Sequence, residues 1–162
     1  MEQANYYQVR VNWKKDRKGI LSSPYLQSKI DVATPPEFPK GISGVWSPEH
    51  LLVAAVNSCL MGTFLAVAEN SRFEFINFES NASGRLEKID GKYLITEITV
   101  SPIVSIADPE EKQRAEKILQ KAADACIISN SIKSKIIVKS QVKVLFPTEK
   151  PSFDYMSVVP PY

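Results

Sequence analysis

Apolar and polar positions alternate at the start of the chain. Residues 6–13 (YYQVRVNW) place Tyr7, Val9 and Val11 on one parity, the two-residue period of a strand. Residues 14–19 (KKDRKG) read as a charged turn, and Ile20 and Leu21 begin a return strand. After Pro24, residues 26–32 (LQSKIDV) alternate more weakly, so the opening third is predicted to be an antiparallel meander. Residues 34–45 hold three prolines and two glycines and read as loop. Ser47-Pro48 then starts a helix, with a hydroxyl to cap free amides and a proline preset for the first turn; the helix should end near Glu69 or Asn70. Strands follow over 81–88 and 93–104, joined by the turn pair Asp90-Gly91. Asp108-Pro109-Glu110-Glu111 starts a second helix, amphipathic through Ala115, Ile118, Leu119, Ala122 and Cys126. A short helical turn from Ser129 and one long strand over 135–146 close a mixed α/β domain of residues 1–146, and 147–162 form a tail with four prolines.

The central helix carries 18 consecutive uncharged residues, 51–68 (LLVAAVNSCLMGTFLAVA), the lower limit of a membrane span. Asn57, Ser58, Gly62 and Thr63 interrupt it, and Glu49 and Glu69 flank it where a membrane helix carries basic or aromatic anchors. No membrane is therefore expected. A helix apolar on nearly every side must be buried on nearly every side. A single domain of 162 residues can hardly surround it, so a partner subunit is expected to cover part of it.

Composition narrows the functions open to such a domain. An apolar fraction of 44% and a charged fraction of 23% are those of a globular chain. A net charge of +2, from 20 basic and 18 acidic side chains spread along the sequence, gives no field to hold a polyanion, so nucleic acid is not an expected partner. His50, Cys59 and Cys126 cannot assemble a four-ligand zinc site, and no metal or cofactor is called for. The first ten residues lack an apolar signal core and carry Glu2, so a cytoplasmic, reducing setting is the expectation. There a cysteine pair is either packing or a redox device that cycles.

Cys59 lies in the middle of the apolar helix, where burial raises a thiol pKa and the helix's own amino terminus is too far away to help. If its sulfur is reactive, a cation must come from elsewhere in the chain. Cys126, at the carboxyl end of the second helix, is the poorer nucleophile but can resolve an oxidised partner. Glu49, in the first helical turn, is either a helix-dipole charge or a site group. It is about 15 Å along the axis from Cys59, so the two could meet only across a two-fold pairing of helices near Ala54 and Ala55. His50 beside it reads as a cap-satisfied histidine rather than a base. Arg17, in the cationic turn, is the permanent bidentate donor of that cluster.

The run Ser47-Pro48-Glu49-His50-Leu51-Leu52 through Ala54-Ala55 to Ser58-Cys59 resembles the central-helix motif of the OsmC/Ohr family, and residues 122–129 (AADACIIS) resemble its second-cysteine region. The resemblance covers roughly residues 6–145. It implies an OsmC-like fold, antiparallel strands around a long buried central helix in an intertwined homodimer, and a thiol peroxidase for organic hydroperoxides. Cys59 then matches the peroxidatic cysteine, Cys126 the resolving cysteine and Glu49 the carboxylate that orients a catalytic arginine. Arg17 matches the Ohr-type arginine, whereas the OsmC-type position offers Lys40. The family usually has proline directly after the second cysteine, and this chain has Ile127. An external thiol would serve as reductant, a lipoylated protein being implied by the Ohr branch alone. Phe64 and Tyr7 would form part of a greasy substrate wall. The rival reading is a catalytically silent OsmC-like domain that binds an apolar small molecule, with both cysteines structural.

Overall fold

The computed structural model describes residues 4–145; Phe146 and the proline-rich tail lie outside them. The opening meander is a three-stranded antiparallel sheet of β1 (Arg10–Lys15), β2 (Lys18–Ser22) and β3 (Ile30–Ala33). β1 starts four residues later than the alternation suggests. Among the described residues its only partner is β2, and Arg10 already pairs with Ser22 at the end of that strand, so residues 6–9 have no strand partner among them. The same limit shortens β3, because Leu21↔Ile30 is the last pair on β2's other edge. Every residue of β1 is exposed, and Tyr7 is 92% accessible.

Loop 34–45 turns back onto β3: Ile42 N donates to Thr34 O (2.9 Å) and Ala33 N to Trp46 O (2.8 Å). Ser47 is thereby placed to cap α1 (Pro48–Asn70), its buried hydroxyl accepting from His50 N at 3.3 Å. This helix is long and apolar enough to cross a membrane. Here it is the core helix of the domain, with Val56, Leu60, Phe64 and Ala68 buried at four-residue spacing. Phe64 is fully buried between the rings of Phe75 and Phe78.

The long hairpin β4 (Asn77–Ile89) and β5 (Lys92–Ile106) supplies the surface on which α1 lies. Asp90 and Gly91 both adopt positive φ, 49° and 79°, as the expected two-residue turn requires. A 3₁₀ turn (Pro109–Glu111) leads into α2 (Lys112–Asp124), which buries Ala115, Ile118, Leu119 and Ala122. Then come α3 (Ile127–Ser131), β6 (Lys135–Val138) and β7 (Gln141–Val144).

The closing strand differs from expectation twice. It runs parallel to β5, because the chain returns through α2 and α3 rather than through a tight turn. It is also broken at Lys139 and Ser140. The registers Val100↔Val138 and Ile103↔Gln141 set the break opposite Pro102, which has no N–H to continue the ladder.

Helix α1 packs tightly over β4 at Gly84, where an added Cβ would lie 2.6 Å from Val53 Cγ2. Valine is stiff at χ1 and cannot swing clear without strain. Gly84→Ala is expected to destabilise the fold by about 1–3 kcal/mol in urea unfolding, and Val53→Ala in the same background to recover most of the loss. Additive losses from the two substitutions would mean that this contact does not limit the packing.

Candidate active site around two cysteines

Cys59 and Cys126 are distant in sequence and both are free thiols. The short helix α3 brings them together. Cys126 is its N-cap residue, extended at φ −66° and ψ 111° and wholly buried. Its position therefore differs from the expected one at the carboxyl end of α2, which closes two residues earlier. Ile128 N, in the first turn of α3, donates to Cys59 Sγ at 3.5 Å. Ser129 Oγ donates to Cys126 Sγ at 3.1 Å.

This corrects the expectation that Cys59 receives no help from a helix amino terminus: α1 gives none, and α3 supplies free amides from across the fold. Burial pushes the half-buried Cys59 thiol up. Hydrogen bonds from the Ile128 amide, the Cys126 thiol, the Thr63 hydroxyl and the Ile127 amide outweigh it, so the thiol ionises below its ordinary value. Thr63 has a single proton, and Thr63 Oγ1 lies 2.8 Å from the Cys59 carbonyl oxygen. The amides and Cys126 are the better placed donors to the sulfur. No lysine or arginine contributes to this shift among the described residues.

Glu49 lies in the first turn of α1, and its Oε2 is shielded from solvent with no hydrogen-bond partner. It borders a cavity of about 680 Å³ between α1, β4 and loop 34–45, together with Trp46, His50, Asn57 and Ser80. Neither cysteine lines that cavity. Asn57 and Ser80 bridge helix to strand there through Asn57 Nδ2 to Ser80 O (3.1 Å) and Ser80 Oγ to Asn57 Oδ1 (2.6 Å). His50 is satisfied by Ser47, with Nδ1 2.8 Å from Ser47 Oγ, as its place beside a cap suggests.

Arg17 is exposed in the β1–β2 turn, whose Arg17 O accepts from Thr34 N at 3.2 Å. The turn is thus tied to the loop that leads to Glu49. No ion pair joins Arg17 or Lys40 to Glu49 among the described residues. One chain therefore unites the two sulfurs and leaves the carboxylate and both candidate cations apart from them. Phe64 leaves the substrate wall: it lies about 140° around α1 from Cys59 and is sealed under the sheet.

The sequence reading missed the contributions of Ile127, Ile128 and Ser129. The cue is the three-residue spacing of Cys126 and Ser129, which is helical once the short helix is started at Cys126 instead of Ser129. Ile127 in place of proline now has a physical consequence, since proline would carry no amide proton to set against Cys59. Ile127→Pro suits the local backbone: it occupies the first helical position, and Cys126 before it is already extended. The variant should fold normally and show a Cys59 alkylation profile displaced to higher pH. An unmoved profile would exclude the Ile127 amide from the site.

Comparisons with known proteins identify the fold and the family. An OsmC-like protein of unknown function from Vibrio cholerae superposes with a TM-score of 0.75 at 25% identity, covering 85% of this chain and 99% of that one. An organic hydroperoxide resistance protein from Elizabethkingia anophelis gives a TM-score of 0.70 at 20% identity, covering 90% and 100%. The organic hydroperoxide resistance protein OhrB of Bacillus subtilis gives 0.61 at 22%, covering 86% and 98%. In sequence, the chain is 23% identical over 145 residues to the uncharacterized Bacillus subtilis protein YmaD, covering 86% of this chain and 95% of YmaD. The family model for OsmC-like protein matches residues 41–141, from the loop before α1 to the start of β7, and the chain belongs to that family.

Proposed function

We propose that the protein is a two-cysteine peroxidase that reduces organic hydroperoxides to alcohols. The observation that carries this reading is the shared grip of α3 on both sulfurs, with the Ile128 amide on Cys59 and Cys126 capping the same turn. Structural cysteines need no donors aimed at sulfur. The Cys59 thiolate attacks the outer oxygen of ROOH, the O–O bond breaks, and RO⁻ takes a proton and leaves as ROH. Cys59 becomes a sulfenic acid. The Cys126 thiol then condenses with it, forming the S–S bond and releasing water. Two equivalents of an external thiol return both cysteines to the reduced state, a cycle suited to a reducing cytoplasm. The Elizabethkingia protein and OhrB of Bacillus subtilis, which share the fold, are organic hydroperoxide resistance proteins.

The working unit in this reading is a homodimer. Met61 and Leu65 leave an exposed apolar stripe on α1, β1 is exposed along its whole length, and β4 is an edge strand of its sheet. Glu49 Oε2 is buried without a partner, a costly state that an incoming guanidinium relieves. Arg17 is assigned to that role, paired with Glu49 and delivered to a Cys59 across the interface. Its planar fork can hold a carboxylate and a thiolate together, which the point charge of Lys40 cannot.

One equivalent of cumene hydroperoxide should remove two hydrogens from the intact mass, and Cys59→Ser should abolish the change. An unchanged mass in the parent protein refutes the peroxidase. Arg17→Ala should slow Cys59 oxidation by about 100-fold, the loss expected for one charged donor at a reacting group, while Lys40→Ala leaves it near the parent rate. Mixed dimers of Cys59→Ser and Arg17→Ala should regain activity in refolded mixtures. Failure to complement would place the site within one chain.

A further inference from the structure

We infer that Ser129 is a positioning residue for the resolving step, its hydroxyl holding Cys126 so that the sulfur faces Cys59. The inference rests on the peroxidase reading and adds to it a residue that acts through Cys126, chiefly on the second step. Three observations carry it. Ser129 Oγ lies 3.1 Å from Cys126 Sγ, short for a hydrogen bond to sulfur. Cys126 is wholly buried, so no water competes for its lone pairs. The same turn of α3 presents Ile128 N to Cys59 Sγ, so one short element touches both sulfurs.

The proton inventory gives the consequence. A thiol has one proton and accepts weakly through sulfur. With the Ser129 proton on a lone pair of Cys126 Sγ, the S–H bond of Cys126 is turned away from Ser129 and is free to point at Cys59. After Cys59 is oxidised, Cys126 is held on the side of Cys59, and turning its S–H toward the departing oxygen presents a lone pair to the sulfenyl sulfur. Condensation moves the Cys126 proton to the departing hydroxide, which leaves as water, and the S–S bond replaces the S–O and S–H bonds. Ser129 exchanges no proton in that balance; it selects a rotamer. Without the hydroxyl, Cys126 samples other rotamers and its attack becomes less frequent.

The test follows single-turnover oxidation by one equivalent of cumene hydroperoxide with dimedone present as a competing trap, read by intact mass. In Ser129→Ala, Cys59 keeps its Ile128 and Ile127 amide donors, so its oxidation rate should change less than the ratio of dimedone adduct to disulfide, which rises about fivefold, the factor worth one neutral hydrogen bond. Ser129→Thr, which keeps the hydroxyl, should return the ratio toward that of the parent. In a Cys126→Ser background the Ser129→Ala change should leave adduct formation unaltered, an outcome that a general loosening of α3 would not produce. An unchanged adduct-to-disulfide ratio in Ser129→Ala overturns the inference while leaving the peroxidase standing. A parent protein that forms neither product overturns both.

Discussion

Helix α1 is apolar around its whole circumference, and the architecture is a response to that fact. One side, with Val56, Leu60 and Phe64, lies against the β4–β5 hairpin, and a second side meets α2 and α3. The third side, marked by Met61 and Leu65, is left open among the described residues. Burying such side chains is worth about 1.5–3 kcal/mol each, which is large against the net stability of a domain. Assembly is the direct way to recover it. The same helix carries Glu49 at its start and Cys59 at its middle, so whatever covers the open side also decides what these two groups meet.

The chemistry of Cys59 depends on competing influences on one sulfur. Burial alone would keep it protonated and inert. The amides of α3 reverse that balance within one chain, before any cation arrives, because they are fixed dipoles that lose little entropy on engaging the thiolate. A guanidinium reaching the same sulfur would then add charge stabilisation for an attack that transfers negative charge onto the leaving alkoxide. In the proposed reaction the amides would stabilise the thiolate, and the cation would contribute most where charge is moving. The separation explains how a chain whose Arg17 is remote from Cys59 still presents an easily ionised thiol.

Much of this was legible in the residue pattern, for reasons that can be named. Ser47-Pro48 and Asp90-Gly91 are local chemistry, and local chemistry survives folding: the cap and the turn are where the sequence places them. Strand ends were less legible because a strand ends where its partner ends. Tyr7 and Val9 alternate as well as Val11 does, yet only Val11 has a neighbour to pair with. The break opposite Pro102 was hidden for the same reason, since the proline and the gap are on different strands. The two sulfurs that α3 brings together belong to residues that stand out in the sequence by type, whereas Glu49 lies apart from them in one chain. The amide donors do not stand out, because every residue but proline has an N–H and only the fold says where it points.

Ile127 shows how such a donor can matter more than stiffness. Proline after Cys126 would lock the first position of α3 and reduce the entropy of the unfolded chain, gains of about 0.4–1 kcal/mol at a compatible site. It would also delete an N–H from the small set facing Cys59. With isoleucine the turn is looser by that amount, and the sulfur has one more fixed dipole. Ile127 itself is 72% exposed, so its side chain adds little packing in the single chain. The choice thus trades rigidity of the α3 turn for ionisation of the Cys59 thiol, and it leaves the orientation of Cys126 more dependent on side-chain contacts such as that from Ser129.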